Sequence, residues 1–178
     1  MDFFTDFLQK YRDSLLERPI WMRVNGGQFQ DKKNMIQFVQ DKGCLIDIKV
    51  FYLIFSKEWK LLDRTEQIDL IEITVRELTG KEEAKTREIY EVRDRLGFRN
   101  APDETAFLVQ MGYQNYPENE KRFILSKPKM HCSYTNSLII LCIGRDAQHS
   151  WISSTDACPD SFWPGETRLL LCRRSLTI

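Results

Sequence analysis

The stretch Leu138-Ile139-Ile140-Leu141-Cys142-Ile143 decides the fold class of this chain. Six consecutive apolar residues are too few to span a bilayer and are typical of a buried strand. Two further β-prone stretches, residues 122–125 and 168–178, are separated from it by loops rich in Ser, Pro, Asp and Gly. The sequence therefore predicts a strand-rich last third, in which Cys142 and Cys172 occupy small apolar core positions.

Helical patterns dominate the rest of the chain. Apolar residues at three- and four-residue spacing, with capping residues and closing glycines, predict helices over residues 2–18, 33–42, 81–96 and 103–111. Residues 63–79 fit two structures. Capping residues at both ends favour a helix, whereas the segment from Ile68 to Val75 is strongly β-prone.

Residues 44–55 are rich in Ile, Val, Phe and Tyr and alternate with polar residues at first, which predicts a long strand over residues 45–54. There is no repeat, low-complexity tract or linker. We therefore predict one α+β domain over residues 1–178, with a helix-rich first two-thirds and an antiparallel, strand-rich last third around one mixed sheet. The side chains expected in its core include those of Phe7, Ile48, Val92, Leu96 and Ile140.

Composition narrows the class of protein. The 26 basic and 26 acidic residues give a net charge of zero, whereas a dedicated nucleic-acid binder usually carries a basic excess. No apolar stretch approaches the roughly 20 residues of a membrane span, and the first residues lack the pattern of a signal peptide. Five cysteines, an odd number, favour reduced thiols. We expect an intracellular protein, cytoplasmic or nuclear, that is not secreted.

Four metal-ligating side chains lie in polar segments of the last third: His131, Cys132, His149 and Cys158. Two cysteines and two histidines can hold zinc in a tetrahedral site. Their spacing matches no zinc or cysteine-enzyme signature, and the adjacent pair His131 and Cys132 is poorly placed to hold one ion. Structural zinc is therefore an alternative and not the expectation.

A carboxylate and a lysine, Asp47 and Lys49, stand two residues apart on the strand predicted over residues 45–54, with Asp31 upstream. This arrangement resembles that of metal-dependent nucleases of the PD-(D/E)xK type. In those enzymes the carboxylate holds Mg²⁺ or Mn²⁺ and the lysine positions the attacking water. If the next β-prone segment is a strand, Glu72 with Lys85 is similar to the site of viral cap-snatching endonucleases.

The last third carries a local excess of basic residues and several aromatic ones. The residues expected to bind a partner there are Trp151, Trp163, Arg145, Arg173 and Arg174. The aromatic rings offer stacking faces or interface anchors, and the arginines offer charge contacts. The segment between the two tryptophans lacks periodicity, which predicts a loop.

The chain has no glycine-rich phosphate loop, nucleophile elbow, dinucleotide fingerprint or zincin helix. The sequence therefore favours a small binding protein without a cofactor, whose partner is a protein or a nucleic acid and whose expected role is regulatory. The alternative is the divalent-metal nuclease centred on Asp47 and Lys49. The sequence leaves the partner and the oligomeric state open.

Overall fold

The computed structural model of the chain describes residues 3–64, 66–112, 117–130 and 137–173, and for residues 3–8 and 130 it describes the backbone alone. Within these ranges six helices surround a mixed sheet of eight strands, beside a small sheet of two strands. The predicted α+β class is confirmed. None of the described helices combines the length and apolarity needed to cross a membrane.

The helices and strands alternate along much of the chain. The helices are α1 (Phe3–Leu16), α2 (Lys32–Asp41), α3 (Ile48–Ile54), α4 (Val75–Thr79), α5 (Thr86–Arg95) and α6 (Thr105–Gly112). The strands are β1 (Met22–Asn25), β2 (Leu45–Ile46), β3 (Gln67–Thr74), β4 (Glu83–Lys85), β5 (Lys121–Ile124), β6 (Lys129–Met130), β7 (Leu138–Arg145), β8 (Ser150–Asp156), β9 (Phe162–Pro164) and β10 (Arg168–Arg173).

The main sheet has the strand order β1-β3-β10-β5-β7-β8-β2, and β6 pairs with β7 alongside β5. Most neighbours are antiparallel, but β10 is parallel to β5 and β2 is parallel to β8. Strands β4 and β9 form the small sheet. The edge strand β2 has only two residues, and it pairs with β8 through Leu45 opposite Trp151 and Ile46 opposite Ile152.

The core consists of two apolar clusters, to which the central strands contribute alternate residues. On β10, Leu170 belongs to the first cluster, whereas Leu169 and Leu171 belong to the second. Such alternation places the clusters on opposite faces of the sheet. Helices α2, α3 and α6 supply side chains to the first cluster, and α1, α4 and α5 supply the second.

The strand predicted over residues 45–54 is wrong beyond its first two residues. Asp47 caps helix α3, because one of its carboxylate oxygens accepts the Lys49 N–H at 2.8 Å. Val50, Leu53 and Ile54 then pack into the core at helical spacing, and Ile48 is 64% exposed instead of buried. A short apolar run has no periodicity that separates a strand from a buried helix, so the cap and the packing decide.

The helix favoured over residues 63–79 is also wrong for most of its length. Residues Gln67–Thr74 form strand β3, and only Val75–Thr79 are helical. Asp63 and Glu66 do interact, through the Asp63 N–H and the Glu66 carboxylate, but they stabilise a turn. The capping box is formed instead by Thr74, at the end of β3, and Glu77, and it starts helix α4.

Most other expectations agree with the structure. The predicted helix over residues 3–16 and the strand over 138–143 are confirmed, as is the burial of Leu96 and Ile140. Val92 is partly buried. The helix predicted over 81–96 begins only at Thr86, because residues 83–85 pair with β9. The side chain of Phe7 lies outside the described part of the chain.

The segment between Trp151 and Trp163 is largely strand and not loop, and Trp163 is buried. Its indole N–H donates to the Thr86 hydroxyl at 2.8 Å, and its ring packs edge-to-face against Phe123 with 5.1 Å between the centroids. Trp163 is therefore buried in the core and is not the exposed anchor that the sequence predicts. It fastens the small sheet to helix α5 and to the main sheet.

Replacing Trp163 by alanine should lower the free energy of unfolding by about 3–5 kcal/mol, since a large buried ring is lost. Thr86→Val removes the hydroxyl that accepts from the Trp163 indole and donates to the Ser161 carbonyl, and it should cost about 1–3 kcal/mol because the buried indole N–H loses its acceptor. Urea denaturation of the two variants and the native protein measures both effects. If Trp163→Ala were as stable as the native protein, Trp163 would not be packed as described.

Candidate protein-binding surface

Four exposed apolar side chains lie close together in sequence. Among the described residues, five large apolar side chains are mostly exposed, and one of them is Phe162 on β9. The other four are Leu45, Ile48, Tyr52 and Phe55, with exposed fractions of 53, 64, 66 and 57%. Single exposed apolar residues are ordinary, but a cluster of them marks an interaction site. We call these four residues the α3 stripe.

Helix α3 is apolar on two sides. Ile48, Tyr52 and Phe55 follow one another at spacings of four and three residues, which places them on one face of the helix. The opposite side contributes Val50 and Ile54 to the core, where both are fully buried. A helix that covers a sheet normally presents polar residues to solvent. The exposed side of α3 therefore does not serve the fold.

The ends of α3 are held firmly. At its start, the Asp47 N–H donates to the Ile152 carbonyl at 2.9 Å, and the Asp47 carboxylate accepts the Ser153 hydroxyl at 2.9 Å. Just beyond its end, the Lys32 ammonium group donates to the Ser56 carbonyl at 2.9 Å. These contacts fix the helix against β8 and α2, so the stripe is a preformed surface.

A groove of about 450 Å³ adjoins the stripe at Leu45. Phe123 and the buried Cys142 form its apolar floor, and the Lys121 side chain lines it as well. The remaining lining residues come from β2, β8 and the residue after β2: Leu45, Ile46, Asp47, Trp151, Ile152, Ser153, Ser154 and Thr155. Leu45 and Asp47, the cap of α3, both line the groove, so the groove begins beside the start of the helix.

Trp151 is a wall of this groove and not a projecting anchor. A Cβ atom at Gly144 would lie 2.2 Å from its ring, so the ring rests directly on the glycine backbone. The Lys121 ammonium group lies 5.6 Å from the ring centroid, in cation–π contact. The Trp151 carbonyl also accepts a hydrogen bond from Gln110 at 3.0 Å.

The arginines predicted to bind a partner have different settings. Arg145 lines a second pocket of about 410 Å³, together with Lys42 and His149. Arg173 serves the fold, because its guanidinium donates to the Leu16 carbonyl at 2.6 Å and ties the end of α1 to β10. Arg174 lies outside the described residues. The sequence prediction therefore missed the α3 stripe, whose only signal was the density of apolar residues around Asp47.

The five residues of the nuclease hypothesis are not brought together. Asp31 caps α2 by accepting the Asn34 N–H at 2.7 Å, and Asp47 caps α3. Glu72 lies on β3, where it pairs with Arg122 and Arg168. The order of the sheet puts five strand spacings, roughly 24 Å, between β3 and β2.

The lysines of that hypothesis have other roles. Lys49 is exposed on helix α3, and Lys85 pairs with Asp160 at 3.1 Å. The nuclease hypothesis requires a carboxylate and a lysine on one strand. Asp47 and Lys49 lie instead at the cap and in the first turn of helix α3.

The zinc alternative has only two of its four residues in the described part of the chain. His149 is exposed, and the Cys158 sulfur accepts the Leu138 N–H at 3.4 Å. His131 and Cys132 fall outside. Among the residues that the structure describes, no three His, Cys, Asp or Glu side chains lie close enough to hold a metal ion together.

Comparisons with protein-family models, with curated proteins and with solved structures found no match to this chain. The function of a fold is carried by its sites. In this molecule the strongest physical signal of a site is the α3 stripe with its groove.

A buried carboxylate supports the segment that follows α3. Glu104 is 1% exposed, and one of its oxygens accepts the Leu62 N–H at 2.6 Å. Its other oxygen has no hydrogen-bond partner among the described atoms. Burial raises the pKa of Glu104 above its usual range, and the nearby Glu66 carboxylate adds to this.

Replacing Glu104 by glutamine should stabilise the protein at neutral pH by on the order of 1 kcal/mol, because a buried charge is removed while the acceptor for Leu62 is kept. A raised pKa in the folded state means that protonation favours folding. This stability is fully present below the unfolded-state pKa of about 4.3 and is lost as pH rises through the folded-state value. The advantage of the variant should therefore grow with pH between about 4 and 7. Thermal unfolding across this range measures it, and a variant that is less stable at neutral pH would contradict the prediction.

The four described cysteines are free thiols of unequal accessibility. Burial raises the pKa of Cys44 and of Cys142 to about 12 and that of Cys172 to about 11. Cys158 is half-buried. The expectation that Cys142 and Cys172 are buried is confirmed, and Cys132 lies outside the described residues.

Iodoacetamide should therefore label Cys158 in the native protein and spare Cys44, Cys142 and Cys172 until the protein unfolds, since labelling requires an accessible thiolate. Mass spectrometry of peptides from timed samples gives the labelling rate of each residue. Rapid native labelling of Cys142 would show that the floor of the groove is not closed.

Proposed function

We propose that this chain is a binding protein that recognises another protein through the α3 stripe. The observation that supports this most directly is the concentration of four exposed, large apolar side chains in residues 45–55. Burying such a side chain stabilises an assembly by about 1.5–3 kcal/mol. A partner that covers the stripe removes this apolar surface from water, and the complex is stabilised by that burial.

A protein fits this surface better than a nucleic acid. Two members of the stripe, Leu45 and Ile48, are aliphatic and cannot stack on bases. The Trp151 ring, which was the candidate platform for stacking, rests on Gly144 and Lys121. The chain also has no net positive charge to neutralise phosphates.

The proposal is tested by locating and measuring the contact. A photo-crosslinking amino acid at position 52 should capture the partner in cells, whereas the same group at position 162 should not. With the purified partner, the variant Ile48→Asp/Tyr52→Gln should bind on the order of 100-fold more weakly, because two central anchors are lost. Aspartate in the first turn and glutamine within the helix are compatible with α3.

Phe162→Gln is the matched control, since Phe162 is 60% exposed but lies outside the stripe. It should bind the partner as tightly as the native protein, and circular dichroism should show that all variants are folded. Equal binding by the native protein and Ile48→Asp/Tyr52→Gln would refute the proposal. Cleavage of RNA or DNA that requires Mn²⁺ or Mg²⁺ and disappears in Asp47→Asn would replace it with the nuclease alternative.

A further inference from the structure

We infer that the segment bound by the α3 stripe is acidic as well as apolar. This inference rests on the proposed function and specifies the chemistry of the partner: a short protein segment with apolar side chains flanked by carboxylates. It follows from the distribution of ion pairs, the geometry of the stripe and the chemistry of the groove.

The lysines around the stripe have no acidic partners in the part of the chain that the structure describes. In the described part of the chain, no ion pair includes a residue between positions 42 and 60. Lys49 is exposed on α3, and Lys57 is exposed just beyond it. Lys121 lines the groove and contacts only an aromatic ring there. These three ammonium groups are available to a partner.

Elsewhere many charges are matched internally, although Lys10 and Lys127 also form no ion pair among the described residues. Around α4 and α5, Arg76 pairs with Glu166 at 2.6 Å, Lys81 pairs with Glu88 at 2.7 Å, and Lys85 pairs with Asp160. The lysines near α3 differ from Lys10 and Lys127 in that they stand beside exposed apolar side chains. The stripe therefore combines apolar area with uncompensated positive charge.

Two carboxylates lie in the same stretch and offset part of this charge. Asp47 directs its oxygens to the Lys49 N–H and the Ser153 hydroxyl. Glu58 is exposed, and its carboxylate forms no ion pair among the described residues, although its backbone carbonyl accepts a hydrogen bond from Lys129. Residues 45–60 thus carry Lys49, Lys57 and Lys60 against two acids, and Lys121 adds a fourth cation from the groove.

The positions of the lysines define the segment. Residues 48 to 55 of the stripe extend over about 10 Å, which matches two turns of a partner helix. Lys57 lies two residues beyond Phe55 at one end of the stripe, and Lys49 follows Ile48 at the other end. A segment with two or three apolar residues and an acidic residue near each end satisfies both sets of groups.

A second copy of this chain fits less well. A symmetric dimer places the same patch on both sides of its interface. Lys49 and Lys57 of one copy would then approach the lysines of the other, with Glu58 as the single exposed acid nearby. Like charges facing each other disfavour such a dimer.

A membrane surface is disfavoured for a different reason. The side chains of the stripe are 53 to 66% exposed, so each is covered in part by its own surroundings. The opposite side of α3, with Val50 and Ile54, is apolar and buried in the core. Interfacial helices bury their apolar face about 5–10 Å into the headgroup region and carry several basic residues on the other face.

The test uses two synthetic helical peptides that share the same leucine and phenylalanine positions and carry either glutamate or lysine at the flanking positions. Fluorescence anisotropy should show that the glutamate peptide binds at least about tenfold more tightly at low salt, and that this advantage shrinks as salt screens the exposed charges. Lys49→Glu/Lys57→Glu should reverse the preference. Lys10→Glu/Lys127→Glu is the matched control, since both lysines are exposed and form no ion pair in the described structure, and it should leave the preference unchanged.

The outcomes separate this inference from the proposed function. If both peptides bind equally well to the native protein and neither binds to Ile48→Asp/Tyr52→Gln, the inference of an acidic partner is refuted. The stripe then remains a binding site. Binding of the glutamate peptide that survives Ile48→Asp/Tyr52→Gln overturns the location, and the proposed function with it. The inference also fails if neither peptide binds. Tighter binding to phosphatidylserine vesicles or to oligouridine, or dimerisation that depends on Ile48, overturns it in favour of that occupant.

Discussion

Continuous burial of the central strands on both faces of one sheet is the constraint on which the rest of this structure depends. Strand β10 lies between an antiparallel neighbour, β3, and a parallel one, β5, and its four residues from Leu169 to Cys172 are all buried. Such a strand has no solvent-facing side, so helices must cover both faces of the sheet. At the first residue of β10, Arg168 pairs with Glu72 on β3. Glu72 also pairs with Arg122 on β5, so one carboxylate joins three strands.

The edge of the sheet at β2 is built differently from the buried centre. Strand β2 ends after two residues because Asp47 turns the chain into α3 and uses its carboxylate to cap the helix and bind Ser153. A short edge strand limits unwanted pairing with other chains. The helix that follows needs only one apolar side to cover its part of the core. Its second apolar side is therefore free to serve another purpose, which we propose is the binding of a partner protein.

Charge is distributed in agreement with this division. Arginines and carboxylates on β3, β5, β10, α4 and α5 neutralise one another within the fold. Among the described residues, Lys49 and Lys57 near α3 have no such partners. Because exposed ion pairs contribute little to stability, this arrangement costs the folded state almost nothing. It does bias which surfaces the chain can approach, since like-charged surfaces repel and acidic ones are attracted.

The sequence by itself determined the elements whose patterns are long or unambiguous. The periodicity of α1, the apolar run of β7 and the glycine that ends α2 each predict one structure, because no competing pattern exists at those positions. The α+β class and the burial of Cys142 follow from the same local signals. None of them depends on knowing which element packs against which.

The tertiary structure alone decided residues 45–54 and 67–74. Both are short, apolar and flanked by capping residues, and strands and buried helices share that description. Pairing with β1 and β10 made the second a strand, whereas the cap at Asp47 and the packing of Val50 made the first a helix. Tertiary contacts also decide whether the tryptophans and the residues of the stripe are buried or exposed. Whether Trp163, Ile48 or Tyr52 meets the core or the solvent depends on its neighbours in space, and no local pattern encodes them.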